Sequence, residues 1–315
     1  MSLYESKKNN LLKNSSSDVV FLTKEWQQIW WDVYGRGKLL LVLAETSDNV
    51  IAIAPLFADE GMIFFVGSGC SDYLDFIGDI SNPLIFNGML ECAALNTPNF
   101  CGFRFYHVLK ESKTGECFKE IEKITSWKLY DEGSIGAPFL EIAEHPETAE
   151  RALQKKSLRR HEAFFLKNGG IEIIEYNSTN AVLNVLERFF EQHINRWAKT
   201  AFPSLFLVKR NKLFFESLCK KIEQIDWLRF ISVKWKDQII AFHFGFEYKK
   251  NFIWYKPTFD IALAKHSPGE VLLRQLLMRS MKEKHKSFDF GLGEEPFKSR
   301  FANKVRFVKT WGLYK

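Results

Sequence analysis

No stretch of the 315-residue sequence runs for 18 uncharged apolar residues. The nearest approach, residues 80–103, is broken by Glu91, by asparagines and by Pro83 and Pro98. A membrane-spanning helix is therefore not expected, since about 20 apolar residues are needed to cross the hydrocarbon layer. Residues 1–17 hold no apolar run long enough for a signal peptide and are expected to form a loose polar tail. Cysteine is sparse and odd in number: Cys70, Cys92, Cys101, Cys117 and Cys219 include no CxxC pair. That usage excludes a disulfide framework and a cysteine-rich zinc site, and it fits a reduced, cytoplasmic chain with small buried thiols. The sequence also lacks a serine nucleophile elbow, a Walker phosphate loop and a cluster of residues at metal-ligand spacing. Hydrolase, ATPase and metalloenzyme chemistry thus find no support, and no metal is expected.

Phenylalanine, by contrast, is abundant at 30 residues, which points to large aromatic cores or an apolar groove. The net charge of +6 is unevenly spread. Residues 18–107 carry eleven acidic and four basic side chains, a net of −7, whereas residues 108–315 carry about +11. The basic half is the candidate for an anionic ligand such as a nucleotide, a phosphorylated sugar or RNA, against the alternative of a solvated basic face.

The main organisational clue is internal. Leu39–Leu43 and Leu228–Ser232 both read as buried strands, and each is followed by a turn and a second strand: residues 48–53 against residues 237–242. The two align without a gap at an offset of 189 residues (Leu39 with Leu228, Ile53 with Phe242). A third strand (62–66 and 252–255), a helical stretch (84–95 and 268–283) and a further strand (102–108 and 287–290) follow in both copies. Five elements in matching order indicate duplication of one α+β unit. The expected division is a first unit over residues 18–145 and a second over 146–315.

The second copy can be read further. Ile171–Tyr176 is an expected strand, and Thr179–Lys199 and Leu205–Gln224 carry apolar residues at helical spacing. Three strands follow, then a long helix from Pro268, a strand at Phe288–Phe290, a short turn and a last strand at Val305–Leu313. This order, β-α-α-β-β-β-α-β-α-β, is that of the GNAT acyltransferase unit. Between the copies, residues 146–167 are expected to form one helix bearing Arg151, Lys155, Lys156, Arg159, Arg160 and Lys167. It is either a solvated face or a contact for a polyanion. At the long helix, Ser267 suits the N-cap, Pro268 the first turn and Glu270 a capping box. Gly269 exposes the backbone there, so the amides of Gly269, Glu270 and Val271 at the positive end of the helix dipole form a candidate pyrophosphate site. The alternative is a capped helix without a ligand.

Several segments resemble the CelD-like (cellulose-biosynthesis-type) acetyltransferases of the GNAT superfamily, relatives of the FemAB aminoacyl transferases. They are Ile240–Phe244 (IAFHF), Trp254–Asp260 (WYKPTFD), Ser267-Pro268-Gly269, Phe288–Lys298 (FDFGLGEEPFK), Ser157–Arg160 (SLRR) and Asp72–Phe76 (DYLDF). The resemblance extends from about Phe21 to the C-terminus. It implies a tandem GNAT-like (acyl-CoA N-acyltransferase) fold of two pseudo-repeated α+β units with mixed central sheets. It also implies acyl transfer from acetyl-CoA or another acyl-CoA to an amine or hydroxyl of a small-molecule or sugar-derived acceptor, such as a polysaccharide precursor. The two-glycine phosphate loop usual in GNAT proteins is reduced here to Gly269 alone. Aminoacyl transfer from a charged tRNA is the second expectation, weakened by the lack of an inserted helical coiled-coil arm. A catalytically silent binding scaffold is the third.

Acyl transfer from a thioester needs a proton acceptor, donors for the developing oxyanion and a proton for the departing thiolate. His243, on the strand face opposite Phe242, Phe244 and Phe246, is a candidate base, against a structural alternative. Asp260 is a second candidate base or substrate-orienting group, against a turn carboxylate. Tyr255 is the candidate proton donor, against a packed aromatic. Asp289, between two apolar rings, requires a partner, and Lys298 is the expected one. Arg159, Arg160 and Lys256 are the candidate substrate contacts.

Overall fold

The computed structural model describes residues 11–47 and 49–315. Asp48, in the expected turn of the first hairpin, and residues 1–10 of the expected tail lie outside the described residues. Residues 11–17 are packed rather than loose, with Leu11 and Leu12 in the first core and Ser17 buried. None of the five cysteines is in a disulfide. Among the described residues no helix is long and apolar enough to cross a membrane.

The chain divides into two compact units, one ending at Gly136 and completed by Arg306–Lys315, the other spanning Ala137–Val305. This differs from the expected division at 145/146, because the last strand belongs with the first unit. In chain order the first unit contains α1 (Lys24–Tyr34), β1 (Lys38–Glu45), β2 (Val50–Asp59), β3 (Met62–Phe65), β4 (Ile77–Gly78), α2 (Pro83–Leu95), β5 (Gly102–Leu109), α3 (Thr114–Ile124) and most of β6 (Lys128–Glu141). The second contains α4 (Pro146–Leu153), α5 (Lys156–Lys167), β7 (Glu172–Tyr176), α6 (Thr179–Trp197), α7 (Lys209–Cys219), β8 (Leu228–Trp235), β9 (Gln238–Tyr248), β10 (Asn251–Phe259), α8 (Pro268–Lys282), β11 (Ser287–Asp289) and α9 (Pro296–Ser299). Strand β12 (Lys304–Tyr314) returns to the first unit.

Local chemistry sets these boundaries. Helix α1 starts where the Thr23 hydroxyl accepts the Trp26 N–H, and α6 where Ser178 accepts the Ala181 N–H. The single helix expected over 146–167 is two, because Lys155 takes an extended backbone (ψ 128°) between them. The helix expected over 205–224 is shorter: a 3-10 turn at Leu205–Leu207 precedes α7.

The strand order is β1-β2-β3-β5-β12 in the first unit, with β4 on β2; in the second, the end of β6 (residues 137–141) leads into β11-β10-β9-β8-β7. In both units the first three strands pair antiparallel and the next pair is parallel (β3 with β5, β10 with β11). The duplication extends to single residues. Leu39 opposes Phe57 as Leu228 opposes Phe246, and Leu43 opposes Ile53 as Ser232 opposes Phe242, all at the offset of 189. A register shift falls at Ala44/Glu45 in one copy and at Val233/Lys234 in the other, again 189 apart. Asp59 opposite Met62 matches Tyr248 opposite Asn251. The copies part at one place: β10 carries an extra residue between Ile253 and Lys256, where β3 runs regularly to Phe65.

The abundant phenylalanines fill the cores. In the first unit Phe65 meets Phe105 at 4.5 Å and Phe76 at 5.0 Å, and Phe105 stacks on Phe118 at 5.3 Å. In the second, Phe189, Phe206, Phe215 and Phe244 form a chain of ring contacts of 4.7–5.2 Å.

One charge lies deep in the first unit. Asp75 is fully buried and accepts hydrogen bonds from the hydroxyls of Ser17 (2.5 Å), Ser112 (2.6 Å) and Thr114 (2.5 Å), and from the Phe76 N–H (2.9 Å). Burial raises its pKa, opposed by those hydroxyls. The carboxylate fastens Ser17 to the loop before α3. Asp75→Ala should strand three buried hydroxyls, each costing about 1–3 kcal/mol when unsatisfied. A loss of roughly 3 kcal/mol or more is expected in a denaturant titration, with faster protease cleavage near Ser17.

Candidate functional site

Strands β10 and β11 pair over only three residues, Asn251–Ile253 with Ser287–Asp289. Strand β11 then ends, while β10 runs on through its extra residue to Phe259. The bulge is enforced at Gly245 of β9, which faces Trp254 and Tyr255 together. A Cβ there would sit 2.3 Å from the Ile253 carbonyl oxygen and 2.2 Å from the His243 ring. Only glycine fits. A cleft of about 240 Å³ opens beyond the last β10–β11 pair, lined by Trp254, Pro257, Thr258 and Phe259 of β10, by Arg196 of α6 and by the start of α8.

The chain reaches α8 through a tight turn. Asp260 accepts the Ala262 N–H (2.9 Å) and caps the 3-10 turn Ile261–His266. Ser267 then takes a left-handed backbone (φ 51°), uncommon for a residue other than glycine, and Pro268 begins the helix. The Ser267 side chain makes no cap; its carbonyl accepts the N–H groups of Glu270 (2.9 Å) and Val271 (3.3 Å). Of the three amides expected to hold a pyrophosphate, only that of Gly269 is not engaged by Ser267. Gly269 lies in the cleft wall, and a Cβ there would be 3.0 Å from the Phe259 ring. The expected capping box is replaced by a clasp. Glu270 bonds His161 Nδ1 and the Arg300 guanidinium, each at 3.0 Å, and Arg300 also donates to the Ser157 hydroxyl (2.9 Å).

Arg196 is the residue that sequence reasoning passed over. Its guanidinium donates to the Pro257 carbonyl (2.8 Å) and lies over the Phe259 ring at 4.5 Å. Burial lowers its pKa to about 10, so it stays cationic at neutral pH. A charge three residues past His193 on the buried stripe of α6 was the available signal. Two further polar groups on cleft-lining residues, the Trp254 indole N–H and the Thr258 hydroxyl, are buried without a hydrogen-bond partner. With Arg196 they form a set of donors suited to an oxygen-rich group, such as a polarised carbonyl or a carboxylate.

The remaining expected site residues fall elsewhere. His243 is fully buried and stacked between Phe252 (5.2 Å) and Trp254 (5.1 Å). Burial lowers its pKa to about 3, opposed by a hydrogen bond with the Ile253 backbone, so the expected base is a neutral, packed ring behind the cleft wall. Tyr255 points to the other face and stacks on Phe215 (6.1 Å). Lys256 lies over the Tyr255 ring at 4.0 Å. Asp289 accepts the Gly291 N–H (2.8 Å). Lys298 pairs with Glu295 (2.8 Å) and the Leu292 carbonyl instead of Asp289, because the Gly291–Gly293 turn brings Glu295 nearer. Arg159 and Arg160 line a separate open depression of about 630 Å³ with Lys156 and Arg274. The fold also gathers Glu247, Glu283 and His285, which sequence spacing did not suggest. Arg229 and Arg279 pair with these carboxylates at 3.0–3.8 Å, so they belong to an ion-pair network.

His193, whose Nδ1 lies 2.8 Å from the Ser204 hydroxyl, is also pushed down to about 3 by burial. Depressed folded values mean that stability is complete above the ordinary histidine pKa near 6.5 and is lost as pH falls toward 3. His243→Phe should make melting temperature less dependent on pH across that window. An unchanged dependence would show that His243 is not held neutral.

Residues 152–299, just under half of the chain, match the Acetyltransferase (GNAT) domain family. Comparison with curated proteins finds no match in sequence. Solved structures with a similar fold include FemX, with TM-score 0.69 and 8% identity over 98% of this chain and 95% of that one. A second is the C-terminal domain of a putative lysylphosphatidylglycerol synthetase from Agrobacterium fabrum, with TM-score 0.60 and 11% identity over 100% and 92%. A third is a tandem GNAT protein from the clavulanic acid biosynthesis pathway, with TM-score 0.50 and 7% identity over 98% and 96%. At such identities these likenesses concern the fold alone. The chain has the GNAT fold in two units, and residues 152–299, within the second unit, match an acetyltransferase domain of that type.

Proposed function

We propose that the second unit transfers an acyl group from a coenzyme A thioester to an amine or hydroxyl of a small acceptor. The observation that carries this reading is the cleft at the divergence of β10 and β11, with the N-terminus of α8 in its wall. The residues present fit such a donor. Gly269 offers an amide at the positive end of the α8 dipole, and the clasp with His161 and Arg300 occupies the neighbouring Glu270 carboxylate. Arg196, Trp254 and Thr258 would hold and polarise a carbonyl. The CelD-like resemblance points to a sugar or polysaccharide precursor as acceptor, in a cytoplasmic setting compatible with five cysteines outside any disulfide.

A second reading, aminoacyl transfer from a charged tRNA, is favoured by the depression bordered by Lys156, Arg159 and Arg160. The fold likenesses to FemX and to a lysylphosphatidylglycerol synthetase domain are compatible with it. Phosphate-rich ligands are attracted to such a surface in a salt-dependent way.

Thermal shift with a series of acyl-CoA thioesters separates the readings. A ligand at a hundred times its Kd should raise stability by about 2.7 kcal/mol. Gly269→Asp should abolish that shift, because its side chain presses on Phe259 and its charge opposes phosphate. A wild-type protein that ignores every thioester yet retains charged tRNA on a filter would establish the second reading.

A further inference from the structure

We propose that the segment joining α6 to α7 docks the second unit onto an anionic membrane surface. From Gln192 to Phe215 the sequence has no acidic residue and five basic ones: Arg196, Lys199, Lys209, Arg210 and Lys212. Within the same stretch Phe202, Leu207, Val208 and Leu213 are exposed at 74%, 62%, 55% and 47%. Isolated apolar side chains on a surface are ordinary, but four within residues 202–213 concentrate exposed apolar surface in one short segment.

The surrounding bonds hold these side chains outward. Phe206 is buried, with its ring 4.6 Å from Phe190 and 4.9 Å from Phe215. Ser204 accepts the Phe206 N–H (3.1 Å) and bonds His193, while Asn211 donates to the Leu205 carbonyl (2.7 Å). With Phe206 pinned inward in the 3-10 turn, the next two residues, Leu207 and Val208, are displayed. Thr200 accepts the Phe202 N–H (3.3 Å), which fixes the other apolar tip in a turn.

The charges identify the partner. Lys212 is paired with Glu187 (2.6 Å). Lys199, Lys209 and Arg210 are exposed, and among the described residues none of them makes an ion pair. Apolar tips flanked by unneutralised cations suit the bilayer boundary, where the tips enter the acyl layer and the cations meet lipid phosphates. A protein-binding core is instead depleted of lysine. A nucleic acid would leave the four apolar side chains in water. Arg196 of the cleft is the second-last residue of α6, so docking would bring that wall of the cleft close to the lipid headgroups. The docking itself does not depend on the acyl-transfer reading.

The test is co-sedimentation of the full-length protein with vesicles of phosphatidylcholine, alone or mixed with phosphatidylglycerol. Binding is expected only to the mixed vesicles and should weaken as salt is raised. Lys209→Ala and Arg210→Ala should each lower partitioning about fivefold. Combining Phe202→Ser, Leu207→Ser and Val208→Ser should lower it roughly tenfold or more, with an unchanged melting temperature because all three are exposed. Failure of the wild type to bind the mixed vesicles, or equal binding by the apolar variant, overturns the proposal. So does a wild-type dimer that binds no vesicles and dissociates in the apolar variant, which would make the segment a contact between copies.

Discussion

At Gly245 the backbone of β9 passes so close to the Ile253 carbonyl and the His243 ring that no side chain can occupy the position. The neighbouring strand must then place two residues, Trp254 and Tyr255, opposite one. This local crowding governs much of the second unit. The bulge sends Trp254 toward the cleft and Tyr255 into the aromatic core against Phe215. It also carries β10 onward alone after its three paired residues with β11, and a gap between diverging strands is where a ligand can reach the backbone of a sheet. His243 is part of the same arrangement. Its ring fills the space a side chain at 245 would need, and burial holds it neutral.

The two copies of the duplicated unit agree closely and part at one strand. Strand registers, and one register shift, agree between the copies at a constant offset of 189 residues. The first copy continues regularly where the second bulges, so its equivalent strand β3 ends at Phe65 and that unit packs its interior with phenylalanine. In the second copy the extra residue lies at the wall of the cleft. A bulge shifts every side chain beyond it relative to the partner strand.

Buried charge is used differently in the two units. In the first, the Asp75 carboxylate is saturated by three hydroxyls and an amide, as a group far from water requires, and it serves as a fastening. In the second, the Arg196 guanidinium has a carbonyl and two aromatic faces as neighbours, with unpartnered Trp254 and Thr258 donors on the same cleft. Donor capacity left unspent within a concave site is a reserve for a ligand, whereas a saturated carboxylate is architecture.

The sequence by itself determined the class of the fold, the duplication and the order of elements in the second unit, because strand alternation, apolar spacing and caps are local properties. The motifs Trp254–Asp260 and Ser267–Gly269, singled out in the sequence, supply lining residues of the cleft. Single-residue roles were not legible. A histidine between aromatic residues reads the same whether it faces solvent or is sealed by Phe252 and Trp254, and only packing decided that. Lys298 was expected to pair with Asp289, and the glycine turn at 291–293 instead sets it against Glu295. The return of β12 to the first unit, the His161–Glu270–Arg300 clasp and the donor set of Arg196, Trp254 and Thr258 join residues tens of positions apart. Contacts of that kind follow from strand pairing and chain reversal in three dimensions, which no local pattern of residues records.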